Sequence, residues 1–95
     1  MEKAKQISID QCCMYYEIEA TFVQKLDEHG LIELSSSGEE VFIAYEQLPD
    51  LEKYIRLHYD LDINMEGIEA IKHLLNRVQR LQQEIERLQH QLEQS

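Results

Sequence analysis

From Asn64 to Leu92 the chain carries no proline, and its apolar residues fall at Ile71, Leu74, Val78, Leu81, Ile85, Leu88 and Leu92. That alternation of threes and fours is the period of a coiled-coil seam, and a strand has no use for it. With Ile71 as a, the a positions hold Ile71, Val78, Ile85 and Leu92, and the d positions hold Leu74, Leu81 and Leu88. Gln79, Arg80, Gln82, Gln83, Glu86, Arg87 and Gln89 leave the rest of the surface polar. So narrow a stripe cannot cap a globular core along its length. It asks for another helix, and the stretch reads as an oligomerisation arm. Arg77, Glu84 and Gln91 at g face Gln82 and Gln89 at e, which gives no complete ionic pair in a parallel register. The seam therefore predicts a homodimer and leaves its orientation open.

The first turns of the same helix behave differently. Asn64 is a good N-cap, because its side-chain oxygen can accept from an orphan N–H of the first turn. Met65, Ile68, Ala70, Ile71, Leu74 and Leu75 then form a wider apolar face, of the kind that packs on a globular body. Root and arm make one helix, on the order of 40 Å long at 1.5 Å per residue. The chain accordingly divides into a domain over 1–63 and a long helix over 64–95, which packs at its root and dimerises at its end.

Ninety-five residues allow one small domain plus that extension, too little for a large enclosed active site. Met1 to Gln6 is charged and reads as a frayed leader, and no stretch approaches the length that spans a bilayer, so the chain is expected to be soluble and cytoplasmic. Residues 1–63 hold fourteen Asp and Glu against five Lys and Arg, and residues 64–95 hold five against four, so the domain carries nearly all of the net charge of −10. A field of that sign repels phosphates and attracts basic protein surfaces.

Within the domain, Ile7-Ser8-Ile9-Asp10-Gln11 reads as a capping box with Ser8 as N-cap, Gln11 reaching back, and Ile7 stapled onto Cys12. The first helix then runs from Ile9 to about Tyr16, burying Ile9, Cys12, Cys13 and Tyr16. Glu17 to Glu19 is a tight connection. A second helix from Ala20 to about His29 turns Phe22, Val23 and Leu26 inward and ends at Gly30 in the left-handed region. Leu31 to Leu34 predicts a strand, Ser35 to Gly38 a turn, and Glu40 to Ala44 a returning strand, together a two-stranded wing. A third helix over about Glu46 to Asp60 tolerates Pro49 in its first turn and buries Leu48, Leu51, Tyr54 or Leu57, and Ile55. Leu61 and Ile63 are expected to plug the core from the link to the long helix.

Helix, turn, helix, wing, helix, short link and long helix follow one another as in the MerR-type winged-helix regulators. The fold class is mostly α. The resemblance is sharpest at Glu28-His29-Gly30-Leu31-Ile32 and over Arg56 to Ile68, where Leu57-His58-Tyr59-Asp60-Leu61-Asp62-Ile63-Asn64-Met65-Glu66-Gly67-Ile68 is similar to a signature of the chaperone modulator CbpM branch. Members of that branch bind the J-domain of a DnaJ-like co-chaperone, CbpA, and restrain it from stimulating DnaK and from binding DNA. The resemblance implies the same partner and role here.

Charge points the same way. In the DNA-binding relatives the positions equivalent to Thr21 and Gln24 are commonly arginines, and the wing is basic. Here the second helix offers Thr21, Gln24, Lys25, Asp27 and Glu28, and the wing offers Glu33, Glu39 and Glu40. Such a face loses affinity at each phosphate contact but suits the basic helix that J-domains present. The expected partner-binding residues are Glu17, Glu19, Thr21, Gln24, Asp27 and Glu28. The same carboxylates could equally be a solvated face. A DNA-binding regulator is the alternative, and an adaptor working through the coiled coil alone is a third reading.

Nothing in the chain points to catalysis or a cofactor. His29, His58, His73 and His90 sit on different elements without ligand spacing, and Gly30, Gly38 and Gly67 are isolated. Cys12 and Cys13 are adjacent and are read as small structural thiols that cannot bridge without strain. Tyr15, Tyr16, Tyr45, Tyr54 and Tyr59 lack the basic groove of a base-stacking platform and fit the edges of a core better.

Overall fold

The computed structural model describes residues 5–94. Two short helices, a small antiparallel sheet and a third helix surround one core, and the long last helix leaves it. The elements are β1 (Gln6–Ser8), α1 (Ile9–Tyr16), α2 (Ala20–Glu28), β2 (Leu34–Ser37), β3 (Glu40–Ala44), α3 (Leu48–Ile55) and α4 (Met65–Gln94). A 3-10 turn at Tyr45–Gln47 leads into α3, and a π-helical turn at Arg56–Asp60 leads out of it.

The sheet has three strands in the order β1-β3-β2, not the two of a simple wing. Gln6 pairs with Ala44, Ile7 with Ile43 and Ser8 with Phe42, so the end of the expected leader is a strand, while the rest of it, Met1 to Ala4, lies outside the described residues. The Tyr45 N–H donates to the Lys5 carbonyl at 2.9 Å and extends that pairing. Ser8 closes the strand and opens α1, accepting from the Gln11 N–H at 3.2 Å, as its N-cap reading requires. The hairpin also sits further along than expected. Ser37 pairs with Glu40 across a two-residue loop, Gly38-Glu39, in which Gly38 takes φ 66°. A positive φ at the first loop residue alone matches a type II′ turn, whose twist suits the flanking strands. Leu31 and Ile32, expected in that strand, are instead buried in the core.

Each of the first two helices closes through a left-handed residue. After α2, Gly30 at φ 71° lets its N–H reach the Asp27 carbonyl at 3.0 Å and lets the Leu31 N–H reach the Leu26 carbonyl at 2.9 Å. This is a Schellman closure, and the buried pair Leu26 and Leu31 is the apolar contact that accompanies it. After α1, Glu17 does the work of a glycine at φ 56°, and the Ile18 N–H reaches the Cys13 carbonyl at 3.1 Å. Ile18 is thereby driven into the core.

The core comprises Ile9, Cys12, Ile18, Phe22, Val23, Leu26, Leu31, Ile32, Ile43, Leu51, Tyr54, Met65 and Ile68, with Ile7, Cys13, Tyr16, Leu48, Ile55, Leu57 and Ile63 packed on it. Each fully buried Leu or Ile contributes about 1.5–3 kcal/mol relative to its exposed state. Leu61 departs from expectation, being 64% exposed. The link turns at Asp62, which has φ 57°, and only Ile63 faces inward, its N–H donating to the Leu57 carbonyl at 3.0 Å. His58 Nδ1 lies 3.0 Å from the Ile63 carbonyl and tightens the same turn.

The helix start is as read from the sequence. Asn64 Oδ1 accepts from the Gly67 N–H at 2.8 Å. A Cβ on Gly67 would stand 2.6 Å from Ile63 Cγ2 and 3.2 Å from Asn64 Oδ1, so only glycine fits there. The root of α4 is fixed to the body by Met65 and Ile68, by Lys72 Nζ donating to the Leu31 carbonyl at 3.1 Å, and by Glu69 Oε1 at 2.9 Å from His29 Nδ1. Beyond Lys72 every described residue is exposed. Leu74 and Leu75, expected in the root's packed face, belong to that exposed stretch. The arm therefore projects, contributing to a longest dimension of 58 Å.

Candidate functional site

The face of α2 that meets the wing forms a cleft of about 460 Å³. Ala20, Gln24 and Asp27 line it at i, i+4 and i+7, the spacing of one helical face. The small Ala20 leaves room there. Ser8, Ile9 and Asp10 close one end, and Leu34, Ser35, Ser36, Glu39, Glu40 and Val41 form the opposite wall. Four carboxylates thus share the cleft, and among the described residues no Lys, Arg or His lines it. Asp10 also stands in the first turn of α1, where the helix dipole favours it, so its position serves the fold as well. Asp27 has a second task too: its Oδ1 accepts from the Leu34 N–H at 3.2 Å and ties the wing to α2.

The six residues singled out from sequence do not form one patch. Gln24 and Asp27 line the cleft, whereas Glu19 and Thr21 line a second hollow, of about 490 Å³, on the other side of α2. That hollow also contains Lys25, His29, His58, Tyr59 and Glu66, a mixed lining with no dominant sign. Its floor is aromatic: Phe22 stacks on His58 with centroids 4.7 Å apart, and Tyr59 meets Phe22 edge-on at 5.3 Å. The Glu19 N–H donates to the Tyr59 hydroxyl at 3.3 Å, and Thr21 Oγ1 lies 3.5 Å from Glu19 Oε2. Glu17 closes α1 with its left-handed backbone while its side chain stays exposed, and neither Glu17 nor Glu28 lines either hollow.

Asp10, Glu39 and Glu40 are cleft residues that the expected set omitted. The two glutamates flank a Gly-containing turn, a signal that places them at a hairpin tip, but their approach to α2 depends on where the strands start. Asp10 converges with them because β1 pairs with β3, a contact spanning some thirty-five residues of sequence.

On α4, the expected seam residues Leu74, Val78, Leu81, Ile85, Leu88 and Leu92 are all exposed, and Ile71 is half-buried. Arg87 pairs with Glu84 along the arm, which holds the Glu84 carboxyl below its ordinary value through the hydrogen bond and the charge. Where the arm meets the body, Lys53, Arg56, Leu57, Asp60, Leu61, Ile71 and Leu75 surround a shallow apolar hollow of about 370 Å³. Among the described residues no group of three or more His, Cys, Asp or Glu could hold a metal ion, and no described helix is long and apolar enough to cross a membrane. Cys12 and Cys13 are free thiols, and burial raises the pKa of both.

Comparison with known proteins agrees with the helix-turn-helix architecture. A family model described as MerR HTH family regulatory protein matches residues 7–90. The Chaperone modulatory protein CbpM of Pseudomonas putida (strain W619) is 31% identical over 88 residues, 92% of this chain and 87% of the relative. Its namesake in Pseudomonas entomophila (strain L48) is 28% identical over the same shares. No solved structure matches the chain.

Proposed function

Since the chain belongs to the MerR helix-turn-helix family and, within it, to the CbpM branch, we propose that it is a non-enzymatic chaperone modulator that binds the J-domain of a DnaJ-like co-chaperone. The observation that carries this reading is the cleft between α2 and the wing. Asp10, Asp27, Glu39 and Glu40 converge there without a neighbouring cation in the lining. In a helix-turn-helix fold that face lies where a duplex would dock, and a phosphate backbone would meet repulsion at every contact. A basic protein helix would meet attraction instead. Covering the basic helix of the J-domain would block its engagement of DnaK and its hold on DNA together. The exposed seam of α4 pairs two copies of the chain, which hides an apolar stripe that a single helix leaves in water.

The test is reversal of the wing carboxylates, Glu39→Lys with Glu40→Lys. Both are exposed and neither makes a side-chain hydrogen bond among the described residues, so the fold should tolerate them. Titration calorimetry with a purified J-domain should show affinity falling by about tenfold or more, the scale expected when charge complementarity at a docking face is inverted. Retained affinity in the double variant would remove the cleft from the reading. Tight binding of duplex DNA by the unaltered protein at about 0.15 M salt, with no response to a J-domain, would replace it with a DNA-binding regulator.

A further inference from the structure

Resting on the reading that the cleft takes a basic J-domain helix, we propose that the docking surface continues onto the outer face of α1, where Met14 and Tyr15 form its apolar anchor. These two side chains are 80% and 78% exposed, more than any other large apolar residue described. α1 already buries Ile9 and Cys12 and packs Cys13 and Tyr16 against the core, so neither Met14 nor Tyr15 is needed to hold the helix in place. Met and Tyr are also among the residue types enriched at the centres of protein interfaces.

The anchor joins the cleft through Asp10. Asp10 lines the cleft and stands one turn before Met14, at i and i+4, so the two side chains neighbour each other on one face of α1. Tyr15 keeps a ring contact on one side: its ring meets that of Tyr16 edge-on at 4.9 Å, and the Tyr16 hydroxyl donates to Glu52 Oε1 at 3.0 Å.

Charge selects the occupant. α1 contains no Lys, Arg or His; Asp10 stands one turn before Met14, Glu17 three residues after it, and Glu52 accepts from the hydroxyl of Tyr16, whose ring meets that of Tyr15. A second copy of this acidic domain would meet like charge there, and so would a nucleic acid. The surface fits a protein helix whose basic face is interrupted by an apolar side chain: the apolar group covers Met14 and Tyr15, and the basic groups reach the cleft.

Titration calorimetry of the full chain with a J-domain separates this inference from the reading beneath it. Met14→Ser with Tyr15→Ser should weaken binding by about tenfold at both low and high salt, and should make the heat-capacity change of binding less negative, because apolar burial is lost. The wing double variant should lose affinity mainly at low salt, where charge is least screened. If the wing variant loses binding while the Met14 and Tyr15 variant keeps it, the anchor is wrong and the cleft stands. If the Met14 and Tyr15 variant instead becomes monomeric by sedimentation, the pair is a contact between copies and the inference is overturned. If the unaltered chain fails to bind a J-domain at all, the inference falls with its premise.

Discussion

At the scale of single residues, the two groups with the largest resolved shifts both sit on α1. The Cys12 thiol is pushed up from 9.0 to about 11 by burial and then by Cys13, and the Tyr16 phenol from 10.0 to about 12 by burial and then by its hydrogen bond to Glu52. In both cases the protonated form is neutral, and the folded state holds that proton more tightly than the unfolded chain does. The stability they confer is complete below their ordinary values and is lost as pH rises through about 11 and about 12. Urea-denaturation midpoints should therefore be level near neutrality and fall above pH 9, and Tyr16→Phe should flatten the upper part of that decline. A midpoint that stays level through pH 11 would mean that neither proton is retained by the fold. Much at this scale was legible beforehand, because caps are local. Ser8 and Asn64 declare themselves through a side-chain oxygen, and Gly30 through the lack of a Cβ, each within three residues of its hydrogen-bond partner. Leu61 and Ile63 did not. Alternation puts both on one side, and the left-handed turn at Asp62 between them sends Leu61 outward while Ile63 stays on the core.

At the scale of elements, α4 shows how far periodicity reaches. The period of its apolar residues was readable from the sequence, and from His73 onward they stand exposed, although burial at the root stops earlier than the wider apolar face suggested. The sheet was only half readable. β1 is three residues long and exists because Gln6, Ile7 and Ser8 meet Ala44, Ile43 and Phe42, a pairing that local propensity cannot foresee. The candidate cleft inherited that blindness, since Asp10 reaches it only through β1. The signature over Arg56 to Ile68 also finds its physical meaning here. Leu57, His58, Ile63, Asn64 and Gly67 build the junction between the π-helical turn and α4, so they carry the fold. For the arm, the chain truncated after Leu75 keeps both anchors of the root, Met65 and Ile68, and loses most of the seam. Sedimentation equilibrium should find it monomeric at concentrations where the full chain is a dimer. Equal dimerisation of the two would locate the seam elsewhere.

At the scale of the whole molecule, two forces of different kind are kept in different places. The domain holds the acidity and the arm holds an exposed apolar stripe. Salt should part them. Raising ionic strength from about 0.05 to 0.5 M shortens the Debye length roughly threefold, which should weaken J-domain binding by an order of magnitude or so while leaving self-association through the arm intact or strengthened. Calorimetry and sedimentation on the same samples would read the two responses. Parallel loss of both would mean that charge holds the pair together as well.

The bracing of α4 against the end of α2, through Lys72 on the Leu31 carbonyl and Glu69 beside His29, bears on how such a pair would grasp its target. With the arm braced at its root, the two clefts of a dimer paired through it would stand at a set separation, like the jaws of a caliper. A co-chaperone that is itself two-fold could then be seized at both ends, each capture raising the local abundance of the other, and a grip modest at either jaw would become tenacious across both.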